Sequence, residues 1–460
     1  MSIVTPDLLR RYDVPGPRYT SYPTADRFVE AFREKDYIVA LQQRKVLSAT
    51  AVQPLSLYIH IPFCESLCYY CACNKIITKH HDRAAKYLQY LERELDLHVQ
   101  HLGRGQVVSQ LHFGGGTPTF LSDEELVSLM QVLRARFEFA PDGEYSIEVD
   151  PRTVTPERLQ VLWDIGLNRL SFGVQDFDSD VQQAVHRIQP AEQEFALVEA
   201  ARKNGFKSLN VDLIYGLLKQ NLQSFARTLE QVGELRPDRI ALYGYAHLPE
   251  RFKSQRRIVR PDLPTAGDKL EMLSAAIDSF IDAGYVYVGM DHFALPDDAL
   301  AIAKRQGRLH RNFQGYSTQP DCDLIALGVS AIGRIGGTYS QNAKTLDEYY
   351  DLIDQGLLPI VRGLALSKDD LIRRAVIMAI MCQGELLFES INNAWLIDCK
   401  QYFAAEFELL RGQQEEGLVE VLDDCIRVTS KGWFFVRGVA LVFDRYLQAA
   451  RSRERFSRII

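Results

Sequence analysis

Short apolar stretches alternate with longer amphipathic stretches through much of the chain. Residues 82–102 illustrate the longer kind, because Leu91, Leu95 and Leu102 fall on one helical stripe. The short stretches have the length and composition of buried strands. They are found at residues 55–61, 107–113, 144–150, 168–174, 208–215 and 239–246. Strands that alternate with helices in this way predict right-handed βαβ units and a parallel sheet.

Start and stop signals define several of the helices between these strands. Ser122 followed by Glu125 forms a capping box ahead of an apolar stripe. Thr155 and Pro156 predict the cap and start of the next helix, and Gly166 predicts its end. A further helix at 266–283 and a strand at 285–290 continue the pattern. The sequence therefore predicts an α/β fold with a partial (β/α)6-type, TIM-like barrel.

The pattern changes near both ends of the chain. Beyond about residue 360, the stretch SKDDLIRRAVIMAIM predicts a capped helix, residues 395–412 look helical, and residues 417–447 predict a β-hairpin followed by a helix. Residues 1–50, with PGPRYTSYPT, read as an irregular segment. We therefore expect an N-terminal segment (1–50) that closes over the active site, a catalytic barrel (51–350) and a small, mostly helical C-terminal domain (360–460).

Composition restricts location and partners. Hydrophobic residues make up 47% of the 460 residues, charged residues 25%, and the net charge is −7. This acidic balance gives no reason to expect nucleic acid or a membrane as a partner. Since the N-terminus lacks an apolar signal region and no apolar run is long enough to span a bilayer, we expect a cytoplasmic protein, in which thiols stay reduced.

Four of the eight cysteines lie within IPFCESLCYYCACNK, directly after the first predicted strand. Cys64, Cys68 and Cys71 follow a C-x3-C-x2-C spacing, which suits a [4Fe–4S] cluster with one iron free of protein ligands. A structural zinc site would normally require a second pair of ligands. Cys73 lies two residues further on, and its ligation would close the open iron, so we predict that it stays unligated. Plain core cysteines and a four-cysteine electron-transfer centre are the alternatives.

Polar or glycine-rich residues recur at the ends of the predicted strands. GGGTPT (114–119) follows the second strand, Glu148 ends the third, and Gln175 follows the fourth. Asp212 lies near the end of the fifth strand, and Ala246 ends the sixth. Functional groups of (β/α) barrels collect at this edge, so these residues are expected to share a site with the cysteines. Glu148 and Asp212 are thus candidates to accept hydrogen bonds from a ligand, with a helix cap as the alternative role for a carboxylate at a strand end.

The cysteine spacing resembles that of the radical S-adenosylmethionine (SAM) superfamily. Longer strings resemble one of its families, the oxygen-independent coproporphyrinogen III oxidases. The strings that together carry this resemblance are GPRYTSYPTA, SLYIHIPFC, CNK, GGGTPT, IEVDPR, LSFGVQDF, NVDLIYG, YAHLP, GMDHFALPDDALA, HRNFQGYSTQ, LGVSAIG and the terminal FSRII, and long strings such as HRNFQGYSTQ are highly specific. The resemblance implies that SAM binds the open iron and yields a 5′-deoxyadenosyl radical, and that two propionates of coproporphyrinogen III become vinyl groups in haem biosynthesis.

The resemblance also assigns residues. Cys64, Cys68 and Cys71 are the implied cluster ligands, and Tyr58 and Glu148 the implied catalytic residues. The positions implied to contact the SAM on the cluster are Tyr58, Gly115, Glu148 and Ile332. Family members hold a second SAM, and the positions implied to line it are Tyr70, Gly116, Thr117, Gln175, Arg187, Asp212 and Ala246.

The implied substrate carries four propionates, so basic groups are expected around it. Arg18 and Arg311 are the candidates, with a structural ion pair as the alternative role for each. The resemblance further implies a flavodoxin-like electron donor and a monomer. Leu218 and Gly244 depart from the residues usual in the family. The alternative functions are a haem chaperone of radical SAM type, which generally lacks GPRYTSYPT and the cysteine of CACNK, and a radical SAM enzyme acting on another substrate.

Overall fold

A computed structural model describes residues 6–12, 14–48, 53–319 and 321–449. The chain divides into two compact units. The first, called the barrel unit here, comprises Phe28–Pro264 and Cys322–Ala365. The second, called the terminal unit, comprises Met1–Arg27, Thr265–Asp321 and Leu366–Ile460. The terminal string FSRII lies outside the described residues.

The described residues form nineteen strands, several of them only two or three residues long. They are β1 Leu55–Ile61, β2 Phe63–Cys64, β3 Ile76–Ile77, β4 Gln106–Gly115, β5 Phe137–Val149, β6 Arg169–Gln175, β7 Ser208–Tyr215, β8 Arg239–Gly244, β9 Val286–Gly289, β10 His292–Ala294, β11 His310–Asn312, β12 Gly315–Ser317, β13 Asp323–Leu327, β14 Ile332–Ile335, β15 Thr338–Asn342, β16 Ile360–Ala365, β17 Glu385–Leu387, β18 Val419–Val421 and β19 Cys425–Val428.

Seventeen α-helices are found in the same described ranges. They are α1 Pro6–Tyr12, α2 Glu34–Ser48, α3 Asp82–Leu102, α4 Asp123–Arg134, α5 Pro156–Asp164, α6 Ser179–Ala184, α7 Ala191–Asn204, α8 Leu222–Leu235, α9 Ala266–Asp282, α10 Ala299–Arg305, α11 Leu346–Asp354, α12 Lys368–Gln383, α13 Phe388–Trp395, α14 Cys399–Tyr402, α15 Ala404–Glu415, α16 Val436–Leu441 and α17 Arg445–Ala449. Short 3-10 helices occur at Ala25–Arg27, Pro118–Phe120, Pro151–Thr153, Lys253–Arg257, Arg260–Asp262 and Gly432–Phe435.

Six parallel strands form the centre of the barrel unit. They lie side by side in the order β1, β4, β5, β6, β7, β8, each bonded to the next in parallel register. The other edge of β1 pairs with β13, also in parallel. Because both edges of β1 are occupied, β8 does not close the sheet onto β1. This arrangement confirms the predicted partial (β/α)6-type barrel.

Local signals predicted most of these elements well. The strand expected at 208–215 and the helix expected at 82–102 have the predicted bounds, and Ser122 forms the full capping box with Glu125. The strand expected at 239–246 ends at Gly244. Thr155 takes the N-cap position of α5, as predicted. Its side chain, however, makes no capping hydrogen bond to the helix backbone.

The sequence pattern missed β13 to β16, which extend the sheet beyond β1. Strands β13, β14, β15 and β16 are joined in antiparallel order, with Gly336 at positive φ (53°) in the turn between β14 and β15. Strands β14, β15 and β16 mix polar or glycine residues with apolar ones, whereas β13 carries a short apolar run (324–327) that the sequence interpretation did not select. The strand expected at 285–290 is β9, and it pairs antiparallel with β10 as a hairpin instead of continuing the βα series.

The terminal unit has its own apolar core. Buried side chains from β9, α10, α12, α13 and α16 pack together, including Val288, Leu300, Ile377 and Val439. Strands β17, β19 and β18 form a small antiparallel sheet, and the hairpin of β18 and β19 is followed by a 3-10 helix and α16. The predicted hairpin followed by a helix is therefore confirmed. Residues 265–321, expected within the barrel domain, group instead with this unit.

A buried carboxylate joins α3 to the extension of the sheet. Glu94 is fully buried and accepts hydrogen bonds from Gly328 N (2.8 Å), Asn342 Nδ2 (2.7 Å) and Tyr349 Oη (2.6 Å). Beside it, Tyr87 Oη donates to the His60 carbonyl oxygen at 2.6 Å. These bonds hold α3 against the turn after β13, against β15 and α11, and against the end of β1. Every helix in the described ranges is too short or too polar to cross a membrane.

Glu94→Gln is expected to change how stability depends on pH. Burial raises the pKa of Glu94 to about 7, against about 4.3 for a glutamate in an unfolded chain. Between these values the folded chain binds more protons than the unfolded chain, so the free energy of unfolding of the wild type falls as pH rises. Relative to Glu94→Gln, we expect a loss of roughly 3 kcal/mol between about pH 4 and pH 8.

Urea denaturation of both proteins across this pH range, followed by circular dichroism, provides the measurement. Glu230→Gln is the matched control, because Glu230 is exposed on α8. A constant difference in unfolding free energy between the wild type and Glu94→Gln at all pH values would contradict the assignment of this carboxyl group.

Candidate active site

The cysteine loop is held at both ends by short backbone pairings. Strand β2 pairs in parallel with β3, so that Phe63 lies opposite Ile76 and Cys64 opposite Ile77. Ile76 N donates to the Pro62 carbonyl oxygen at 2.7 Å, and Thr78 N to that of Cys64 at 2.9 Å. Residues 65–75 are thereby closed into a compact loop. Cys64 and the three cysteines of this loop line a cavity of about 290 Å³ at the carboxyl ends of the parallel strands.

The glycines after β4 allow the chain to lie directly against this loop. Gly116 N donates to the Ile61 carbonyl oxygen at 2.8 Å, and a Cβ on Gly116 would lie 2.6 Å from the Pro62 carbonyl oxygen. Gly115 has a φ of 119°, and a Cβ there would lie 2.7 Å from the His60 ring. Any side chain at either position would push the two loops apart. The structure thus requires glycine at both positions for close backbone approach.

Hydrogen bonds reach the cysteine sulfurs from the surrounding loops. Thr117 Oγ1 donates to Cys64 Sγ at 3.3 Å, while burial raises the pKa of Cys64 to about 12. The Cys73 thiol donates to Cys71, which lowers the pKa of Cys71 to about 6 and raises the pKa of Cys73. Lys75 Nζ donates to the Cys71 carbonyl oxygen at 3.1 Å. Cys73 therefore lies beside Cys71, at the edge of the same cavity.

Two arginines approach the middle cysteine. Arg152 Nη2 and Arg187 Nη1 each lie 3.6 Å from Cys68 Sγ. Both guanidinium groups also bind the carboxylate of Asp150, the first residue after β5. Burial alone would raise the pKa of Asp150, but Arg187 and Arg152 together lower it to about 2. The sequence pattern predicts Arg187 on the helix that follows the fourth strand, but it lies in the loop between α6 and α7.

A second group of polar side chains lies on neighbouring strands. Glu148 Oε2 accepts from Gly115 N at 3.2 Å, and Glu148 Oε1 lies 3.3 Å from His112 Nε2. The His112 ring stacks on Tyr58 with ring centroids 6.0 Å apart. Tyr58 Oη lies 3.0 Å from Nδ1 of His60. Glu148 is thus oriented by a backbone amide and an imidazole, and its side chain remains 45% exposed toward the cavity.

Asp212 lies on β7 between two polar neighbours. Its carboxylate accepts from Ser171 Oγ at 3.2 Å and from Asn210 Nδ2 at 2.9 Å. Burial, followed by the nearby charge of Glu148, raises the pKa of Asp212 to about 7. Gln175, at the end of β6, adopts a left-handed conformation with a φ of 69°. A non-glycine residue held in this region is uncommon and is typical of functional loops.

Most of the predicted site residues line this one cavity. The predicted residues that do so are Cys64, Cys68, Cys71, Tyr70, Gly115, Gly116, Thr117, Glu148, Gln175, Arg187 and Asp212. Tyr58, Ala246 and Ile332 lie outside its lining. Tyr58 stacks on the His112 ring, and His112 in turn contacts Glu148. Ala246 is linked to Tyr70, because Gln255 Nε2 donates to both carbonyl oxygens.

The structure adds lining residues that the sequence interpretation did not select. They are Ser66, Lys75, Val149, Asp150, Arg152, Ser171, Gly173 and Tyr243. Asp150 and Arg152 belong to IEVDPR, a string used only as a family marker. The strand-end rule that selected Glu148 applies equally to Asp150, which is the first residue beyond the strand, and would have identified it.

The two predicted substrate arginines lie in the terminal unit, close to each other. Arg18 forms an ion pair with Asp291 at 2.7 Å. Arg311 Nε donates to the Arg18 carbonyl oxygen at 3.2 Å, and its guanidinium lies 4.6 Å from the centre of the Tyr316 ring. The structure thus brings these two residues together and gives Arg18 a carboxylate partner.

The two departures from the family pattern have simple structural settings. Leu218 is buried in an apolar cluster with Val181, Leu217 and Tyr245. Gly244 is the last residue of β8, and a Cβ at this position would lie 2.8 Å from Tyr215 Oη. A side chain such as asparagine would therefore require Tyr215 to shift.

The residues present fit an iron–sulfur cluster and a polar ligand beside it. Thiolate sulfurs on a short loop, with N–H and O–H donors directed at them, are the usual protein environment of such clusters. Arg187 Nε is buried in the cavity wall and has no hydrogen-bond partner among the described residues. Within those residues, no group of three or more His, Cys, Asp or Glu side chains lies close enough together to hold a single metal ion. The match to an iron–sulfur cluster therefore rests on the three sulfurs and their hydrogen-bond donors.

Comparison with known proteins agrees with this site. Residues 58–232 match the radical SAM superfamily, and residues 366–435 match the family described as the HemN C-terminal domain. The first match contains the cysteine loop and most of the cavity lining. The second falls on the helices and small sheet of the terminal unit.

Full-length relatives narrow the family. The chain is 51% identical to the oxygen-independent coproporphyrinogen III oxidase of Pseudomonas aeruginosa over 99% of this chain and 98% of that protein. It is 48% identical to the enzyme of the same name from Escherichia coli over 98% of each. The solved structure described as coproporphyrinogen III oxidase (HemN) from Escherichia coli, a radical SAM enzyme, superposes with a TM-score of 0.89 at 46% identity, covering 94% of this chain and 100% of that one. The chain therefore belongs to the oxygen-independent coproporphyrinogen III oxidases of the radical SAM superfamily.

Proposed function

We propose that this protein converts two propionate side chains of coproporphyrinogen III into vinyl groups, giving protoporphyrinogen IX without oxygen. The observation that carries the proposal is the three-cysteine loop, which faces a cavity shared with Glu148, Asp212 and Arg187. The near full-length identity to oxidases of this name supports the choice of substrate.

Cys64, Cys68 and Cys71 are proposed to hold a [4Fe–4S] cluster. When bound, the cluster and SAM supply a 5′-deoxyadenosyl radical, which removes a hydrogen atom from the substrate. The chain contributes the environment of these groups. Thr117 and the two arginines donate hydrogen bonds to ligand sulfurs. The glycines at the end of β4 let the backbone lie directly against the cysteine loop.

Glu148 is proposed to accept a hydrogen bond from the SAM amine, and Asp212 one from a ribose hydroxyl. Glu148 suits this role because Gly115 N and His112 orient it while one side faces the cavity. Asp212 suits its role because Ser171 and Asn210 hold its carboxylate in one orientation.

Two SAM molecules are proposed. Tyr58, Gly115, Glu148 and Ile332 are assigned to the SAM on the cluster, with Tyr58 and Glu148 as catalytic residues. The remaining assigned residues, for the second molecule, are Tyr70, Gly116, Thr117, Gln175, Arg187, Asp212 and Ala246.

The overall change at each propionate defines what else is needed. A –CH2–CH2–CO2⁻ group becomes –CH=CH2 and CO2 by losing one hydrogen atom and one electron. The hydrogen atom goes to the 5′-deoxyadenosyl radical, and the electron requires a one-electron acceptor. Arg18 and Arg311 are proposed to bind the remaining carboxylates. We further propose that a flavodoxin-like protein donates the electron that the cluster needs, and that the protein is a cytoplasmic monomer. The N-terminal segment (1–50) is proposed to cover the site.

The decisive assay is anaerobic turnover of the reconstituted protein. With SAM, a low-potential reductant and coproporphyrinogen III, we expect protoporphyrinogen IX together with 5′-deoxyadenosine. Cys68→Ser, which lacks one proposed ligand, should yield neither product. Formation of 5′-deoxyadenosine without any decarboxylated porphyrinogen would favour another substrate, and stable haem binding without turnover would favour a chaperone.

Cys73→Ser is expected to retain the cluster. The serine hydroxyl can still donate to Cys71, and the three proposed ligands remain, so iron content should stay at about four atoms per chain. Iron and sulfide analysis with absorption spectroscopy provides the measurement. Cys71→Ser is the matched control and should lose most of its iron. Loss of iron in Cys73→Ser would show that this cysteine is a ligand.

Arg18→Ala is expected to raise the KM for coproporphyrinogen III at least tenfold, since a charge-assisted hydrogen bond contributes about 1.5–3 kcal/mol. Steady-state kinetics measured under anaerobic conditions test this. Asp291→Asn is the matched variant, because it removes the ion pair but leaves the guanidinium. Unchanged KM in Arg18→Ala, with equal losses of thermal stability in both variants, would assign the arginine a purely structural role.

A further inference from the structure

Two guanidinium groups and one carboxylate form a compact cluster against Cys68. Arg152 Nη2 and Arg187 Nη1 both lie 3.6 Å from Cys68 Sγ. We infer that the triad of Asp150, Arg152 and Arg187 raises the reduction potential of the cluster bound by this loop. Arg152 is the member of the triad whose replacement tests this effect most directly. This inference rests on the proposed function only in that it takes Cys68 as a cluster ligand.

Asp150 holds Arg152 in a single orientation. The carboxylate accepts from Arg152 Nε at 2.9 Å and from Nη2 at 2.6 Å, and also from the Arg152 backbone N at 3.1 Å. A fork bonded at two nitrogens has little freedom to rotate. The third contact of that fork, toward Cys68 Sγ, is therefore fixed by the first two. Asp150 is itself buried, so that solvent does not compete for these bonds.

Arg187 contacts the same sulfur and the same carboxylate. It contacts Asp150 at 3.3 Å through Nη2 and donates to the Gly173 carbonyl oxygen at 2.6 Å. Two positive charges and one negative charge leave the triad with a net positive charge next to Cys68. Only 9% of the Arg187 and Asp150 side chains is exposed. Solvent and salt therefore screen this charge weakly.

A positive group and N–H donors at a ligand sulfur favour the reduced form of a cluster, which carries one more negative charge than the oxidised form. Hydrogen bonds to the sulfurs, net charge and solvent exposure are the factors by which proteins shift these potentials. Both arginines act in the same direction, because each stabilises the additional electron. The triad should therefore make reduction easier than the cysteine loop alone would allow.

Arg152 separates this effect from other roles better than Arg187 does. Arg187 also supports the end of β6 through Gly173 and is assigned to SAM. The side-chain hydrogen bonds of Arg152 within the described residues reach Asp150 and Cys68. Removal of Arg152 leaves the contact of Asp150 with Arg187 in place. A purely structural arginine at this position would affect folding or iron retention but would not change the potential of a fully loaded cluster.

The test compares reconstituted Arg152→Gln with the wild type by anaerobic potentiometric titration, followed by electron paramagnetic resonance and without substrate. We expect the reduction equilibrium to become at least tenfold less favourable, which corresponds to a midpoint about 59 mV more negative for a one-electron couple. Arg152→Lys keeps the charge but not the fork, and should show a smaller shift in the same direction. Arg136→Gln is the matched control, because Arg136 pairs with Glu92 and Asp96 on α3, away from the cavity.

An unchanged midpoint in Arg152→Gln with full iron content would overturn the inference. If Arg152→Gln fails to retain iron, the Arg152→Lys titration decides, and a wild-type midpoint there would equally overturn it. A shift of the same size in Arg136→Gln would assign the effect to overall charge and also overturn it. Failure of the wild type to turn over coproporphyrinogen III, with a normal titratable cluster, would instead count against the proposed function alone.

Discussion

The close approach of the Gly116 backbone to the cysteine loop is the contact on which the rest of the site depends. The Gly116 amide bonds to the Ile61 carbonyl oxygen, and a Cβ at Gly116 would lie 2.6 Å from the Pro62 carbonyl oxygen. This contact joins the ends of β1 and β4 at the level where the cysteines begin. Thr117, the next residue, is thereby brought within hydrogen-bonding distance of Cys64. A single glycine thus connects the geometry of the sheet to the chemistry of the loop.

Charge is divided across the cavity in a way that follows from the same sheet. The cysteines face two arginines that share Asp150, whereas β5 and β7, which lie on either side of β6, contribute the carboxylates of Glu148 and Asp212. Each of the two arginines is positioned by Asp150, so a buried carboxylate reduces the cost of placing two cations side by side. On the other side, the raised pKa of Asp212 shows that burial beside Glu148 disfavours a second negative charge. A ligand with both positive and negative groups, such as SAM, matches this division.

The sequence was most informative where structure depends on local signals. Apolar runs and caps predicted the parallel strands and their helices, since these features are set within about ten residues of chain. The strand-end positions of Glu148, Gln175 and Asp212 were predictable because parallel strands present their carboxyl ends at one edge. By contrast, β13 to β16 were missed, because they are only four to six residues long and all but β13 mix polar or glycine residues with apolar ones. Asp150 was missed although the strand-end rule covers it, because the string IEVDPR was used only as a family marker; its side chain caps the 3-10 helix Pro151–Thr153 and pairs with Arg152.

Long-range contacts explain why roles could be assigned to single residues but not to pairs. Arg152 and Arg187 meet at Cys68 although more than one hundred residues of chain separate Cys68 from Arg187. Neither spacing nor composition indicates such a meeting, whereas the parallel sheet makes it necessary by bringing the ends of β1, β5 and β6 together. The same sheet edge that collects functional side chains also allows cations to accumulate there, provided that an acid lies between them. In this protein that acid is Asp150, and its position directly after β5 places both arginines beside the buried sulfur of Cys68.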